Sequence, residues 1–226
     1  MNISHVDDLA HGSATTNNSV AKGYSGYNST LPVPDVRTQV SHYLKKAHGA
    51  DPNALYIVSG GSNDAFFGLT PGRNATALAH DAVHTLRAES ERLVHHGARH
   101  LLIPTLSEMQ TSPWARTYAD AETKNNTILF TSAVNRALRA WVPTVRSANA
   151  TLFDADALES TIQAHPHKYG LTNVTGACLV GTQKLEKGVK RHLCADADRY
   201  FFFDLYHPTA RVHALLARGA VRALHS

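Results

Sequence analysis

Residues 54–64 read Ala-Leu-Tyr-Ile-Val-Ser-Gly-Gly-Ser-Asn-Asp, an apolar run that ends abruptly in glycines and polar residues. The run does not alternate between apolar and polar positions, which favours a strand buried on both faces, as in a parallel sheet. Shorter runs of the same kind at 101–104 and 150–154 predict two more strands. With helical patterns between them, this order predicts an α/β domain with a parallel sheet and helices on both faces.

Four helices are predicted around these strands. Asp35 can cap a helix over Val36–Ala47, and the apolar spacing predicts further helices over Thr76–His96 and Thr131–Val145. Pro208 is expected to open a final helix, because proline is favoured at the first helical position. Two long stretches are expected to be irregular: residues 10–34 and residues 156–200.

The length of 226 residues corresponds to about one domain, which we expect to span residues 1–226. Ligands of open α/β sheets bind beyond the carboxyl ends of the strands. Residues 60–64 lie at such an end, and so does the segment before the final helix. These two segments are therefore the first places to look for a site.

Asp204 and His207 stand three positions apart in the segment before the final helix. Nucleophilic ester hydrolysis needs an imidazole that takes the proton of the nucleophile and a carboxylate that orients and stabilises this imidazole. A turn of this length brings both side chains within hydrogen-bond reach. The simpler alternative is that Asp204 caps the final helix and His207 lies on the surface.

Asn63 follows the first predicted strand directly. An amide at this place can donate a hydrogen bond to an oxyanion that develops in the transition state, and one such donor typically contributes roughly 3 kcal/mol. Taken alone, the Asn-Asp pair is equally typical of an ordinary turn after a strand.

Taken together, the two segments carry a family resemblance. Residues 58–64 resemble the third conserved block of the SGNH, or GDSL-type, ester hydrolases, and residues 204–209 resemble the fifth. Residues 14–19, 173–178 and 194–203 are similar to fungal secreted GDSL-type esterases grouped with acetyl-carbohydrate esterases. The resemblance implies a flavodoxin-like, three-layer α/β/α fold and a serine mechanism without a cofactor.

By this resemblance, Asp204 and His207 take the acid and base roles, and Asn63 belongs to the oxyanion hole. The second block of the family has a glycine where this sequence has Ser13. The backbone N–H of Ser13 can still bind an oxyanion if the residue adopts the required backbone angles, and Gly12 beside it allows an adjustment.

The first block of the family, Gly-Asp-Ser, carries the nucleophilic serine, and this tripeptide does not occur in the 226 residues. We therefore expect a chain truncated at its N-terminus, which has no nucleophile and lacks the first strand, the following helix and a signal peptide. Ser13 and Ser62 lie near the expected site but not on a turn that presents a nucleophile.

Composition argues against other function classes. The formal net charge is +4, and Lys and Arg are scattered, so we expect no nucleic-acid partner. No apolar run reaches the roughly 20 residues that a membrane helix needs. His80 and His84 lie one helical turn apart, but without the glutamate of a zinc protease we interpret them as a solvated helix face rather than a metal site. We expect a monomer that takes a small-molecule or carbohydrate ester.

Two features indicate secretion to the extracellular space. Cys178 and Cys194 are either one disulfide or two free buried thiols. The chain has seven Asn-x-Ser/Thr glycosylation motifs, where about two are expected by chance. The candidate glycosylation sites are Asn2, Asn17, Asn28, Asn74, Asn125, Asn149 and Asn173.

Two functions follow from these patterns. In the first, the complete protein is a serine-type ester hydrolase, such as an acetylesterase that acts on plant-wall carbohydrate. In the second, the chain is an inactive relative that retains carbohydrate or ester binding. A missing central strand exposes apolar surface and destabilises a sheet, which favours the first interpretation.

Overall fold

The computed structural model describes residues 5–181 and 190–225. The strands are β1 Tyr24–Ser25, β2 Leu31–Pro32, β3 Leu55–Ile57, β4 His100–Pro104, β5 Asn149–Phe153, β6 Asn173–Ala177, β7 Leu179–Val180, β8 His192–Leu193 and β9 Tyr200–Phe202. The helices are α1 Val36–Ala47, α2 Ser62–Gly68, α3 Ala75–His95, α4 Pro113–Thr117, α5 Ala121–Trp141, α6 Ala155–Ala164 and α7 Ala210–Ala223.

Three parallel strands in the order β3-β4-β5 form the central sheet. Alternate side chains along the strands point to opposite faces, and helices cover each face. One face packs against α1, α3 and α5, where Leu78, Leu86, Phe130 and Leu138 are fully buried. The other face packs against α6 and α7 through Leu102, Phe153 and Leu216. The predicted three-layer α/β/α fold with a parallel sheet is confirmed.

Polar caps place the helices where the sequence predicts them. The carboxylate of Asp35 accepts a hydrogen bond from Thr38 N at 2.8 Å, and α1 has the predicted bounds. Asn74 caps α3 in the same way through Ala77 N at 2.9 Å. Each cap satisfies a backbone N–H that has no partner inside its own helix.

The first strand is not buried on both faces, and that prediction is wrong. β3 is an edge of the three-stranded sheet, and Ile57 on it is 64% exposed. An edge strand leaves a row of backbone groups unpaired on one side. Among the described residues, no strand pairs with this side of β3.

Two helix predictions and one prediction of an irregular stretch also need correction. α5 begins ten residues earlier than predicted, with Asp120 as its cap. Its first turns are polar, so they lack the apolar spacing from which a helix is predicted. The stretch 156–200, predicted to be irregular, includes most of α6, whose buried Ile162 packs against β9, and also the strands β6, β7 and β8. The final helix begins at Ala210 with Thr209 as its cap, so Pro208 precedes it rather than opening it.

Cys178 and Cys194 form a disulfide, with their Cα atoms 4.8 Å apart. The bond joins the residue before β7 to the residue after β8, and these two strands pair antiparallel. It also lies close to β9, because Cys178 N donates to Phe202 O at 3.1 Å. The disulfide therefore holds the C-terminal strands next to the turn that follows β9.

The candidate glycosylation sites differ in exposure. Asn28, Asn74, Asn125 and Asn149 are exposed, Asn17 and Asn173 are half-buried, and Asn2 lies outside the described residues. Glycosylation itself stays a prediction. Within the described part of the chain, no helix is long and apolar enough to cross a membrane.

Candidate active site

Asp204 and His207 are in direct contact in the turn between β9 and α7. Nδ1 of His207 lies 3.0 Å from Oδ1 and 2.9 Å from Oδ2 of Asp204. The carboxylate is buried, at 5% exposure, whereas the side chain of His207 is 66% exposed. Since Nδ1 is held by the carboxylate, Nε2 is the ring atom left for a substrate or a nucleophile.

Charge and hydrogen bonding stabilise this pair. The hydrogen bond to Asp204 raises the pKa of His207, against the opposing effect of burial. Burial would raise the pKa of Asp204, but hydrogen bonds from the His207 ring and from the backbone N–H groups of Tyr206 and His207 lower it overall. The carboxylate therefore stays ionised beside an imidazole that readily accepts a proton.

Backbone hydrogen bonds fix the shape of this turn. Phe203 N donates to His207 O at 2.8 Å, and Thr209 N donates to Phe201 O at 2.9 Å. The helix cap is Thr209, whose hydroxyl accepts from Val212 N. Asp204 therefore does not cap the final helix, although His207 is exposed as the simpler interpretation expects.

Asn63 lies in the first turn of α2, at the carboxyl end of β3. The chain turns sharply at Gly61, where φ is +126° and a Cβ atom would lie 2.8 Å from Leu106 Cδ1, so only glycine fits without strain. Nδ2 of Asn63 donates to Ala14 O at 2.9 Å. An amide has two N–H groups, so one remains for an oxyanion.

The turn His11–Ala14, which contains Ser13 and Gly12, lies against α2. Ser13 has φ of +69°, in the left-handed region that favours glycine. The serine thus adopts backbone angles typical of the glycine that it replaces in the family pattern. Gly12 does not have a positive φ, so Ser13, and not Gly12, adopts the left-handed conformation.

Asp64 ties this turn to α2. Its buried carboxylate accepts hydrogen bonds from Thr16 N at 2.9 Å and from Thr16 Oγ1 at 2.5 Å. Burial raises the pKa of Asp64 to about 6, although both hydrogen bonds from Thr16 oppose the rise. Asp64 and Asn63 are thus anchored to the same loop, at Thr16 and Ala14.

An aromatic cluster connects α2 to the Asp-His turn. The ring of Phe66 makes edge contacts with Trp114 and Tyr206, at centroid distances of 6.3 and 5.7 Å. Tyr206 in turn lies 6.2 Å from the His207 ring. Phe66 is 49% exposed and Tyr206 is 40% exposed, so the cluster offers an apolar surface beside His207.

The contact between Phe66 and Tyr206 brings α2 and the Asp-His turn together, as the sequence predicts for segments at one edge of a parallel sheet. The contribution of Trp114 was not predicted, and its position carries no local signal. Trp114 is held at the site by its backbone N–H, which donates to Leu205 O at 3.0 Å.

The described residues contain no group of three or more side chains suited to hold a metal ion. His80 and His84 stack on α3 with ring centroids 6.5 Å apart. Both histidines belong to α3 and lie outside the Asp-His turn.

A histidine–carboxylate pair at the carboxyl edge of a parallel α/β sheet, beside a turn with free amide donors, is typical of ester hydrolases. The family model described as GDSL-like lipase/acylhydrolase matches residues 1–220. The chain therefore belongs to this family, and the predicted resemblance to the GDSL-type ester hydrolases is confirmed.

Several curated proteins are similar to the chain. An uncharacterized protein of the trpE-trpG intergenic region of Pseudomonas putida is 29% identical, and the match covers 80% of this chain and 30% of that protein. A thermolabile hemolysin of Vibrio parahaemolyticus is 26% identical, over 86% of this chain and 48% of the hemolysin. The GDSL esterase/lipase EXL2 of Arabidopsis thaliana is 26% identical, over 73% and 48%. The chain thus spans about a third to a half of the length of these relatives.

Proposed function

We propose that the chain carries the acid–base pair and the oxyanion site of a serine-type carboxylic ester hydrolase. The observation that carries this proposal is the contact of both Asp204 oxygens with Nδ1 of His207, which leaves the exposed face of the imidazole free. Membership of the GDSL-like lipase/acylhydrolase family supports the same chemistry.

In this reaction a serine hydroxyl attacks the ester carbonyl while Nε2 of His207 takes its proton. Asp204 stabilises the imidazolium that forms. The free N–H of Asn63 and the backbone N–H groups of Ser13 and Gly12 bind the oxyanion. His207 then returns the proton to the leaving alcohol, and water releases the acyl group by the same route. The reaction needs neither a metal nor a cofactor.

The serine itself is proposed to belong to a segment outside these 226 residues. Gly-Asp-Ser is absent from the sequence, and no described serine hydroxyl is hydrogen-bonded to His207. The unpaired edge of β3, where Ile57 is 64% exposed, offers a place for a further strand beside Asn63. A strand there would extend the sheet and cover Ile57.

The aromatic cluster of Phe66, Trp114 and Tyr206 supports a substrate with an apolar or ring-shaped part next to the scissile ester. An acyl chain can pack on these rings, and so can the apolar face of a sugar. We propose a short acyl ester, such as an acetyl group on plant-wall carbohydrate. The disulfide and the exposed glycosylation motifs support secretion of a glycoprotein, which we propose to be a monomer.

Hydrolysis of 4-nitrophenyl acetate tests this proposal in two forms. The chain of 226 residues is expected to show no turnover above background, because it lacks a nucleophile. A form extended upstream by the segment that carries Gly-Asp-Ser should hydrolyse the ester. His207→Ala in the extended form should lower kcat by a factor of about 10³ or more. Turnover by the 226-residue chain that His207→Ala abolishes would show that a serine within it acts as nucleophile.

A second candidate function is an inactive relative that binds carbohydrate or ester without cleaving it. The absence of Gly-Asp-Ser from the sequence favours this candidate. It predicts that no upstream segment encodes Gly-Asp-Ser and that the chain folds stably as it is. Sequencing upstream of Met1, together with thermal unfolding of the 226-residue chain, separates the two candidates.

A further inference from the structure

The strands β6 and β7 run beside the segment that leads into the Asp-His turn. β6 pairs in parallel with β9, and the chain continues from β6 through Cys178 into β7. The pairing extends past the end of β9, because Cys178 N donates to Phe202 O at 3.1 Å and Leu179 N donates to Phe203 O at 2.6 Å. Phe203 directly precedes Asp204 in the chain. β7 therefore contacts the base of the turn.

Phe203 links β7 to the Asp-His pair through its two backbone groups. Its carbonyl accepts from Leu179 N, and its own N–H donates to His207 O at 2.8 Å. The second of these bonds closes the turn in which Nδ1 of His207 meets the carboxylate of Asp204. A shift of Phe203 would therefore act on Asp204, its neighbour in the chain, and on His207, its hydrogen-bond partner.

β7 has little packing of its own to hold it in this place. β7 and β8 are two residues long each, and Val180 and Leu193 on them are 57% and 58% exposed. An isolated pair of short strands is marginally stable at best in water. The disulfide supplies a restraint, because Cys178 directly precedes β7 and Cys194 directly follows β8. It fixes the chain one residue before the donor Leu179.

The Asp-His turn has a further support that does not involve the disulfide. Trp114 N on α4 donates to Leu205 O at 3.0 Å, within the turn itself. Loss of the disulfide is therefore expected to loosen the turn without unfolding it.

We propose that Cys178, Cys194 and Leu179 are positioning residues of the candidate active site. The disulfide holds β7, β7 holds Phe203, and Phe203 keeps Asp204 in contact with His207. The importance of this chain of contacts for catalysis rests on the proposed function. The contacts themselves do not, and they can be measured in the 226-residue chain, which needs no nucleophile for the purpose.

The measurements are an NMR pH titration of the His207 ring and the hydrogen exchange of the amides of Leu179 and Phe203. The signals of His207 are those that disappear in His207→Ala. Dithiothreitol breaks the disulfide by giving it two electrons and two protons, which leaves two cysteine thiols while the reagent becomes a cyclic disulfide. The double variant with Cys178→Ala and Cys194→Ala lacks the bond from the start.

The reduced chain and the double alanine variant should respond alike. The pKa of His207 should fall towards its ordinary value in both, because the hydrogen bond to Asp204 is what raises it. The amides of Leu179 and Phe203 should exchange about tenfold faster, since their hydrogen bonds open more often.

Three further variants separate positioning from a general loss of stability. Leu179→Pro removes the donor N–H and keeps the disulfide, so it should lower the pKa of His207 as reduction does. Leu179→Val keeps the N–H and should titrate like the unsubstituted chain. Leu44→Ala removes a buried side chain of α1, in a different apolar cluster from β9, and lowers the unfolding midpoint by a comparable amount. It should leave the titration of His207 unchanged.

The proposal is overturned if reduction leaves the His207 titration and the exchange of both amides unchanged, or if Leu44→Ala alters them as much. In the form extended by the Gly-Asp-Ser segment, the double alanine variant should lower kcat for 4-nitrophenyl acetate about tenfold, with KM nearly unchanged. An equal kcat with and without the disulfide would also overturn it. If the extended form hydrolyses no ester at all, the proposed function fails, while the NMR measurements still decide whether the disulfide positions the Asp-His pair.

Discussion

Both carboxylate oxygens of Asp204 lie within 3.0 Å of Nδ1 of His207, although the two side chains differ sharply in exposure. The buried carboxylate fixes one side of the ring and leaves the other side accessible. A general base requires this difference in exposure, since the proton-accepting nitrogen must reach a substrate while the carboxylate that orients the ring stays shielded from water.

The first prediction concerns the protonation of His207. Asp204→Asn replaces the carboxylate by a neutral amide, so the pKa of His207 should fall from its raised value, because the largest stabilising contact of the imidazolium is lost. An NMR pH titration of the ring protons measures this shift. Asp198→Asn changes an exposed aspartate in the same region and should leave the titration of His207 unchanged. Equal pKa values in both variants would refute the coupling.

The second prediction concerns the strained backbone at Ser13. Its φ of +69° costs a serine roughly 1 kcal/mol more than a glycine. Ser13→Gly should therefore stabilise the fold by about that amount in urea unfolding. Gly12→Ala is the matched control, because a Cβ atom there meets nothing within 4 Å, and its free energy of unfolding should change by less than about 0.5 kcal/mol. Destabilisation by Ser13→Gly would show that its side chain is required.

The third prediction concerns pH and Glu159. Burial raises the pKa of this carboxyl to about 7 from an ordinary 4.5, although the hydroxyl of Ser107 donates to it. Between these pH values the folded chain holds a proton that the unfolded chain releases, so stability falls as pH rises. Glu159→Gln should thus stabilise the fold on the order of 2 kcal/mol at pH 8 and by little at pH 4.5.

Chemical unfolding of the Glu159→Gln variant at both pH values provides the measurement. Glu122→Gln, at an exposed position in the first turn of α5, is the control. It should change stability by only a few tenths of a kcal/mol at either pH. A gain from Glu159→Gln that is equal at both pH values would contradict the assignment to a buried charge.

The fourth prediction concerns the disulfide. Replacing both Cys178 and Cys194 by alanine opens a loop of 16 residues and should cost about 3 kcal/mol of stability. Urea unfolding measures the loss. Dithiothreitol should lower the stability of the unsubstituted chain similarly and leave the double variant unaffected. An unchanged unfolding midpoint would show that the bond does not restrict the unfolded chain.

Local sequence patterns were enough to predict much of the fold. Apolar periodicity and the cap at Asp35 are local signals, so α1 and α3 were predicted nearly to the residue. α5 was predicted too short because its polar first turns contact solvent. The edge position of β3 was missed, since strand neighbours are set by pairing between distant segments.

The candidate site, like the fold, was predicted from the sequence only in part. The sequence by itself determined the residue types and their short spacings: Asp204 three residues before His207, Asn63 directly after a strand, and a serine where the family has glycine. Only the tertiary structure decided that Ser13 takes the left-handed conformation and that Trp114 and Phe66 meet beside Tyr206. These features arise where segments far apart in sequence pack together, and the positions of their atoms depend on every layer of the fold around them.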